Sequence, residues 1–105
     1  MAQFDVYANM NQNTRKTFPY IVDVQSSLLE SLETRLVIPL MLKSILGEKV
    51  IHNLTPCVTL KHQEYLVLTP QMAAIHKKHL GKIVDNIKSE RTKIVASIDF
   101  LITGF

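Results

Sequence analysis

Apolar and polar positions along the chain follow two periods, and the switch between them divides it. Residues 3–8 (Gln-Phe-Asp-Val-Tyr-Ala) alternate with period two and put Phe4, Val6 and Ala8 on one face, which predicts an edge strand. Asn9 to Thr17 is polar apart from Met10 and reads as a loop. Residues 18–25 form a second strand, with Pro19 confined to its start. Ser26-Ser27 is placed to cap a short turn through Leu28, Leu29 and Glu30. Thr34 to Leu40, β-branched and apolar and closing at Pro39, reads as a third, buried strand. Over residues 41–50 the spacing of Met41-Leu42 and Ile45-Leu46 suits a short helix that Gly47 would stop. Residues 56–61 and 64–69 are two further strands, joined as a hairpin by His62-Gln63, although no glycine favours a tight turn there. Met72 to Ile75 is a last short strand. The period then becomes helical: Ile87, Arg91, Ile94, Val95, Ile98, Leu101, Ile102 and Phe105 recur at three and four. This predicts an amphipathic helix from about residue 86 to about 102, with Asn86 as N-cap and Gly104 as breaker. Strands followed by one helix give an α+β, mainly β domain around a small, antiparallel, barrel-like sheet.

Composition narrows the class. A chain of 105 residues with 47% hydrophobic positions is one globular domain, 1–105, able to bury roughly 60–70% of its unfolded surface. Its one cysteine, Cys57, excludes an internal disulfide, so no oxidising compartment is required. The start, Met-Ala-Gln-Phe-Asp, has no signal-peptide pattern, and runs such as Leu36–Leu42 are too short to span a bilayer. A cytoplasmic location without membrane contact is the expectation. The net charge of +3 resides wholly in residues 77–105, where six basic residues face Asp85, Glu90 and Asp99. That segment suits either a solvated helix face or an acidic partner, nucleic acid or peptide.

Candidate chemistry is sparse. His76 and His79, three apart, suit a metal on a helix, but no third ligand has matching spacing and Lys77-Lys78 lie between them. Two surface histidines is the simpler reading. Cys57 has no local group to lower its pKa or orient a base, so it reads as a small core residue. Asp23, between Val22 and Val24, reads as an outward-facing strand residue and not as a catalytic acid. With no phosphate loop, GxSxG or HExxH pattern, no catalytic residue, metal or cofactor is expected, and the chain reads as a protein-binding domain.

The end of the chain is apolar: Phe100-Leu101-Ile102-Thr103-Gly104-Phe105. Helical geometry lines up Ile94, Ile98, Leu101 and Phe105, while Asp99 and Ile102 turn elsewhere. Part of this segment must dock on the sheet, and the remainder is either an exposed interface tip or a seam within the protein's own core or dimer. Gly104 permits close approach, the Phe105 carboxylate suits an arginine, and burying a Phe contributes about 1.5–3 kcal/mol.

Phe4-x-Val6-Tyr7, Val22-Asp23-Val24-Gln25-Ser26, Arg35-x-Val37-Ile38-Pro39-Leu40, Leu54-x-Pro56, Met72-Ala73 and a terminal helix closing on Gly104 and a hydrophobic residue follow in order over nearly the whole length. In this the chain resembles the CcdB family, the toxins of plasmid and chromosomal toxin–antitoxin modules. The resemblance implies an SH3-like antiparallel barrel-like sheet with a small extra sheet and one C-terminal helix, assembled as a symmetric homodimer. It implies a toxin that binds the A subunit of DNA gyrase and traps the complex of gyrase with cleaved DNA. It also implies neutralisation by a CcdA-like antitoxin and contact with operator DNA only through that antitoxin. The implied gyrase-binding residues are Leu28, Leu29, Asp99, Ile102, Thr103, Gly104 and Phe105. The sequence departs from the plasmid prototype at Thr103, where the prototype has Trp, at Phe105, where many members end in Ile, and in the basic 77–93 segment; chromosomal relatives also carry Thr at the first of these.

Two other functions fit the same fold. One is a homologue that binds an antitoxin without poisoning gyrase. The other is a MazF-like mRNA endoribonuclease whose basic loop Thr14-Arg15-Lys16-Thr17 would hold RNA, although no convergent acid/base motif supports it.

Overall fold

The computed structural model describes residues 2–46 and 53–104. Among these residues seven strands and two α-helices are formed, besides short 3-10 turns: β1 Asp5–Asn9, β2 Tyr20–Asp23, β3 Thr34–Leu42, α1 Lys43–Leu46, β4 Cys57–Leu60, β5 Gln63–Val67, β6 Ala73–His76, β7 Leu80–Asn86 and α2 Arg91–Thr103. All described pairings are antiparallel, in the order β4-β5-β3-β2-β1-β7, with β6 attached to β3 beside that path.

The nine-residue β3 organises the sheet. One side pairs with β2, from Val37↔Asp23 to Leu40↔Tyr20. The other is divided: Thr34–Val37 pair with β6 and Leu40–Leu42 with β5. The β4–β5 hairpin docked through β5 on the end of β3 is thus the small extra sheet, continuous with the larger one through β3. Pro39 does not end the strand but lies inside it, at the gap between its two partners. Its carbonyl accepts the Leu68 N–H at 3.0 Å, so the donor that proline lacks points to that gap and spares the ladder with β2.

Alternation sends one set of side chains inward. Val6, Val22, Ile38, Leu40, Val58, Leu60, Tyr65 and Val67 form one buried cluster with Phe4, Ile87 and Ile94. Residues of β4 at one end of the sheet and β1 near the other share this cluster, so the sheet curls into a half-barrel around it. Helix α2 closes the open side through Ile94, with Val95 and Ile98 half-buried beside it.

Several sequence expectations are corrected. β1 is an interior strand between β2 and β7, not an edge. The hairpin turn is Lys61-His62, one residue earlier than expected, and both residues have positive φ (51° and 66°); Gln63 belongs to β5, opposite Leu60. β7 was not foreseen, and the helix starts at Arg91. Asn86 is the last residue of β7 and not the helix cap: its Oδ1 accepts the Lys88 N–H at 2.9 Å and its Nδ2 donates to Asp5 Oδ1 at 3.0 Å. Lys77, Lys78 and Lys82 consequently lie on a turn and on β7, not on a helix face. The Gly47 stop falls outside the described residues.

Candidate docking site

The predicted contact residues occupy two separate projections. The first is the turn after β2. Ser26 caps a single 3-10 turn, Ser27–Leu29, its Oγ accepting the Leu28 N–H at 3.2 Å. With three residues, the turn has no buried side, and Leu28 is 93% exposed with Leu29 and Leu32 also in solvent. Leu32 was not singled out in the sequence, where it is one more leucine in an irregular stretch.

The second projection is the end of α2. Its base is anchored by Ile94 and by Ser97, whose Oγ donates to the Ile94 carbonyl at 2.7 Å and lies 2.8 Å from Thr69 Oγ1. The serine proton is already used, so Thr69 is the donor. Beyond this anchor the helix leaves the sheet: Asp99, Leu101, Ile102, Thr103 and Gly104 are exposed, Ile102 by 71%. Thr103 Oγ1 donates to the Asp99 carbonyl at 2.7 Å. Gly104 adopts a left-handed φ of 78° and donates its N–H to the Phe100 carbonyl at 2.9 Å, as a helix C-cap does. Phe105 lies outside the described residues. The hydrogen bonds described for the Ser27–Glu30 turn run to Ser26, Gln25, Leu32 and Lys77 or stay within the turn, and none reaches α2.

Beneath the turn lies a feature that the local sequence conceals. Asp23 is fully buried, not outward-facing. It accepts Arg35 Nε at 2.7 Å and Nη2 at 3.2 Å, and both side chains have no exposure. The second sheet face, which carries Asp5, Tyr7, Ile21, Asp23, Arg35 and Val37, is therefore largely buried too. Among the described residues Tyr7 Oη and Arg35 Nη1 are buried without a hydrogen-bond partner. Burial, reinforced by the Asp5 and Asp23 carboxylates and opposed by Arg35, pushes the Tyr7 phenol up to about 12. On the same face a cleft of about 610 Å³ opens under the 9–18 loop, floored by Ile21, Val37, Pro39 and Ile75.

No nucleophile emerges at Cys57. Burial and a hydrogen bond from its Sγ to Glu64 Oε2 (3.0 Å) push the thiol up, the reverse of activation. Its side chain is half-buried at the margin of the small cluster of Met41, Leu66 and Leu68, and not in the core proper. His76 and His79 do not share a helix; their rings stand 6.4 Å apart at 77°, and His76 Nε2 lies 3.1 Å from Glu33 Oε2. No group of three potential metal ligands occurs among the described residues. No described helix is long and apolar enough to cross a membrane.

A mainly antiparallel, half-barrel sheet closed by one C-terminal helix agrees with the resemblance noted in the sequence, and the family model described as CcdB protein matches residues 3–104. The chain belongs to the CcdB family. The match takes in both projections, the buried Asp23–Arg35 pair and every strand. Membership in the CcdB family supports the coarse function, a toxin of a toxin–antitoxin module.

Proposed function

We propose that this CcdB-family protein is a non-enzymatic poison of DNA gyrase, acting in the cytoplasm as a homodimer. It binds the gyrase A subunit and holds the enzyme on cleaved DNA. A CcdA-like antitoxin neutralises it and carries the pair to operator DNA. The observation that carries this reading is the exposed apolar tip of α2, with Ile102 in solvent and a left-handed Gly104, in a chain of this family. Leu28 and Leu29 form the second contact. Burying a leucine contributes about 1.5–3 kcal/mol, so a dimer presenting each projection twice has ample free energy to bind. Poisoning then follows from preference: a ligand that binds the open, cleaved state more tightly shifts gyrase toward it. Dimerisation is supported by the second sheet face, where Met10 and Ile83 are exposed beside the half-buried Leu80.

Incubation of supercoiled plasmid with purified gyrase and ATP tests this directly. Linear plasmid accumulates with the intact chain and not with a version truncated after Thr103. A folded dimer that yields no linear DNA refutes poisoning, and Thr103, where the plasmid prototype has Trp, is then the first residue to restore.

A further inference from the structure

We propose that Gln25 and Lys77 are positioning residues that hold the Leu28–Leu29 turn in its docking shape. The proposal rests on the assignment of that turn as a gyrase contact. Its foundation is the buried ion pair. Asp23 Oδ1 accepts the Gln25 N–H at 2.9 Å, and Arg35 Nη2 donates to the Gln25 carbonyl at 3.0 Å. Both backbone polar groups of Gln25 are thus held by side chains that are themselves fully buried and paired with each other.

The Gln25 side chain carries this order outward. Its Oε1 accepts the Leu36 N–H from β3 at 3.0 Å, which orients the amide and turns Nε2 toward the Leu29 carbonyl, 3.4 Å away. From the opposite side, Lys77 Nζ donates to the Glu30 carbonyl, the residue that closes the 3-10 turn. The Lys77 N–H donates to the Glu33 carbonyl at 2.9 Å, next to the His76–Glu33 contact. The loop is therefore tied at Leu29, Glu30 and Glu33, while Leu28, Leu29 and Leu32 remain in solvent.

For the free protein this is an unfavourable arrangement, since it orders a loop and leaves three leucines wet. For a binder it is favourable, because side chains already in place lose less entropy on association. One basic residue of the 77–93 segment thereby acquires a role, as a cation at the carbonyl end of a helical turn.

Two substitutions separate the ties. Gln25→Glu keeps the acceptor for Leu36 and removes the donor facing Leu29; Lys77→Met keeps the stem and removes the charge. The full-length protein, labelled at its leucine methyls, is compared by methyl relaxation and by calorimetric titration with the gyrase A subunit. In each variant the Leu28 and Leu29 methyls become more mobile on the picosecond–nanosecond scale. Affinity falls roughly three- to ten-fold, in proportion to the competent fraction of loops, while the melting midpoint stays near that of the parent. In a Leu28→Ala/Leu29→Ala background neither substitution weakens binding further. Methyls as rigid in both variants as in the parent overturn the proposal, as does an undiminished loss in the alanine background, which indicates direct contact with gyrase. If the alanine pair alone leaves gyrase binding intact, the gyrase assignment falls, and the methyl data still decide whether Gln25 and Lys77 hold the turn.

Discussion

Asp23, Arg35 and Tyr7 meet on a sheet face where hydrophobic residues would pack without them. A buried ion pair contributes little net stability, but removing one partner strands the other charge. Asp23→Ala should therefore lower the unfolding free energy by about 3–5 kcal/mol, read as a shift of the urea midpoint. Tyr7 is the reverse case: among the described residues its buried hydroxyl has no well-formed hydrogen bond, and the Asp5 carboxylate is the charge that acts on it most. Tyr7→Phe should therefore cost no stability and leave the urea midpoint unchanged or slightly raised. The variant should also resist alkali better. The phenol titrates at about 12 in the fold against 10.0 ordinarily, so the folded state holds its proton more tightly than the unfolded chain. Stability from this group is complete below pH 10 and declines as pH rises toward 12. Burial shifts Cys57 and Tyr65 in the same direction, so denaturation curves at pH 7 and pH 11 should diverge less in Tyr7→Phe than in the parent. None of this was legible in Val-Asp-Val. Alternation assigns Asp23 to the outer face correctly, and nothing local reveals that this face is covered as well.

At the scale of elements, β2, β3, the β4–β5 hairpin and β6 were readable because each is a short run rich in apolar and β-branched residues, set off by polar or proline positions. β7 was not. Its pairing with β1 shifts register between Val6 and Tyr7 and again between Tyr7 and Asn9, so Leu80-Gly-Lys-Ile-Val-Asp-Asn shows no period of two. Gly81 belongs to that irregularity, since a Cβ there would meet the Ala8 carbonyl oxygen at 2.6 Å. The helix start was misread because Ile87, buried in the core ahead of the helix, happens to fit the helical spacing. The hairpin turn retains correctable strain. Lys61 and His62 both occupy left-handed φ, which costs a side chain roughly 1–2 kcal/mol. Replacing them with Asn-Gly, the pair this turn prefers, should raise stability by about 1 kcal/mol in thermal unfolding and leave gyrase binding unchanged, since neither residue belongs to either projection.

For the molecule as a whole, the residues proposed for docking lie outside the core that holds the fold. The leucines of the turn and the end of α2 contribute little to the core, so Leu28→Ala/Leu29→Ala should change unfolding free energy by no more than about 0.5 kcal/mol. The same pair should remove most gyrase-dependent plasmid cleavage. The α2 tip was legible because apolar residues continue past the last one that can reach the sheet. The turn was legible only through the family resemblance, since two leucines after Ser-Ser carry no signal of their own. Leu32, Gln25 and Lys77 were invisible, because what they do depends on strands that meet only in three dimensions.

The divided strand β3 has one further consequence. It pairs with β2 on one side and with β5 and β6 on the other, so β3 is released only when both flanks of the sheet come away from it. Hydrogen exchange at the Val37, Ile38, Leu40 and Met41 amides should then be among the slowest in the protein and track global unfolding. A protease seeking the central strand of such a toxin must wait for the whole fold to open, so cleavage there reports how often the entire chain lets go.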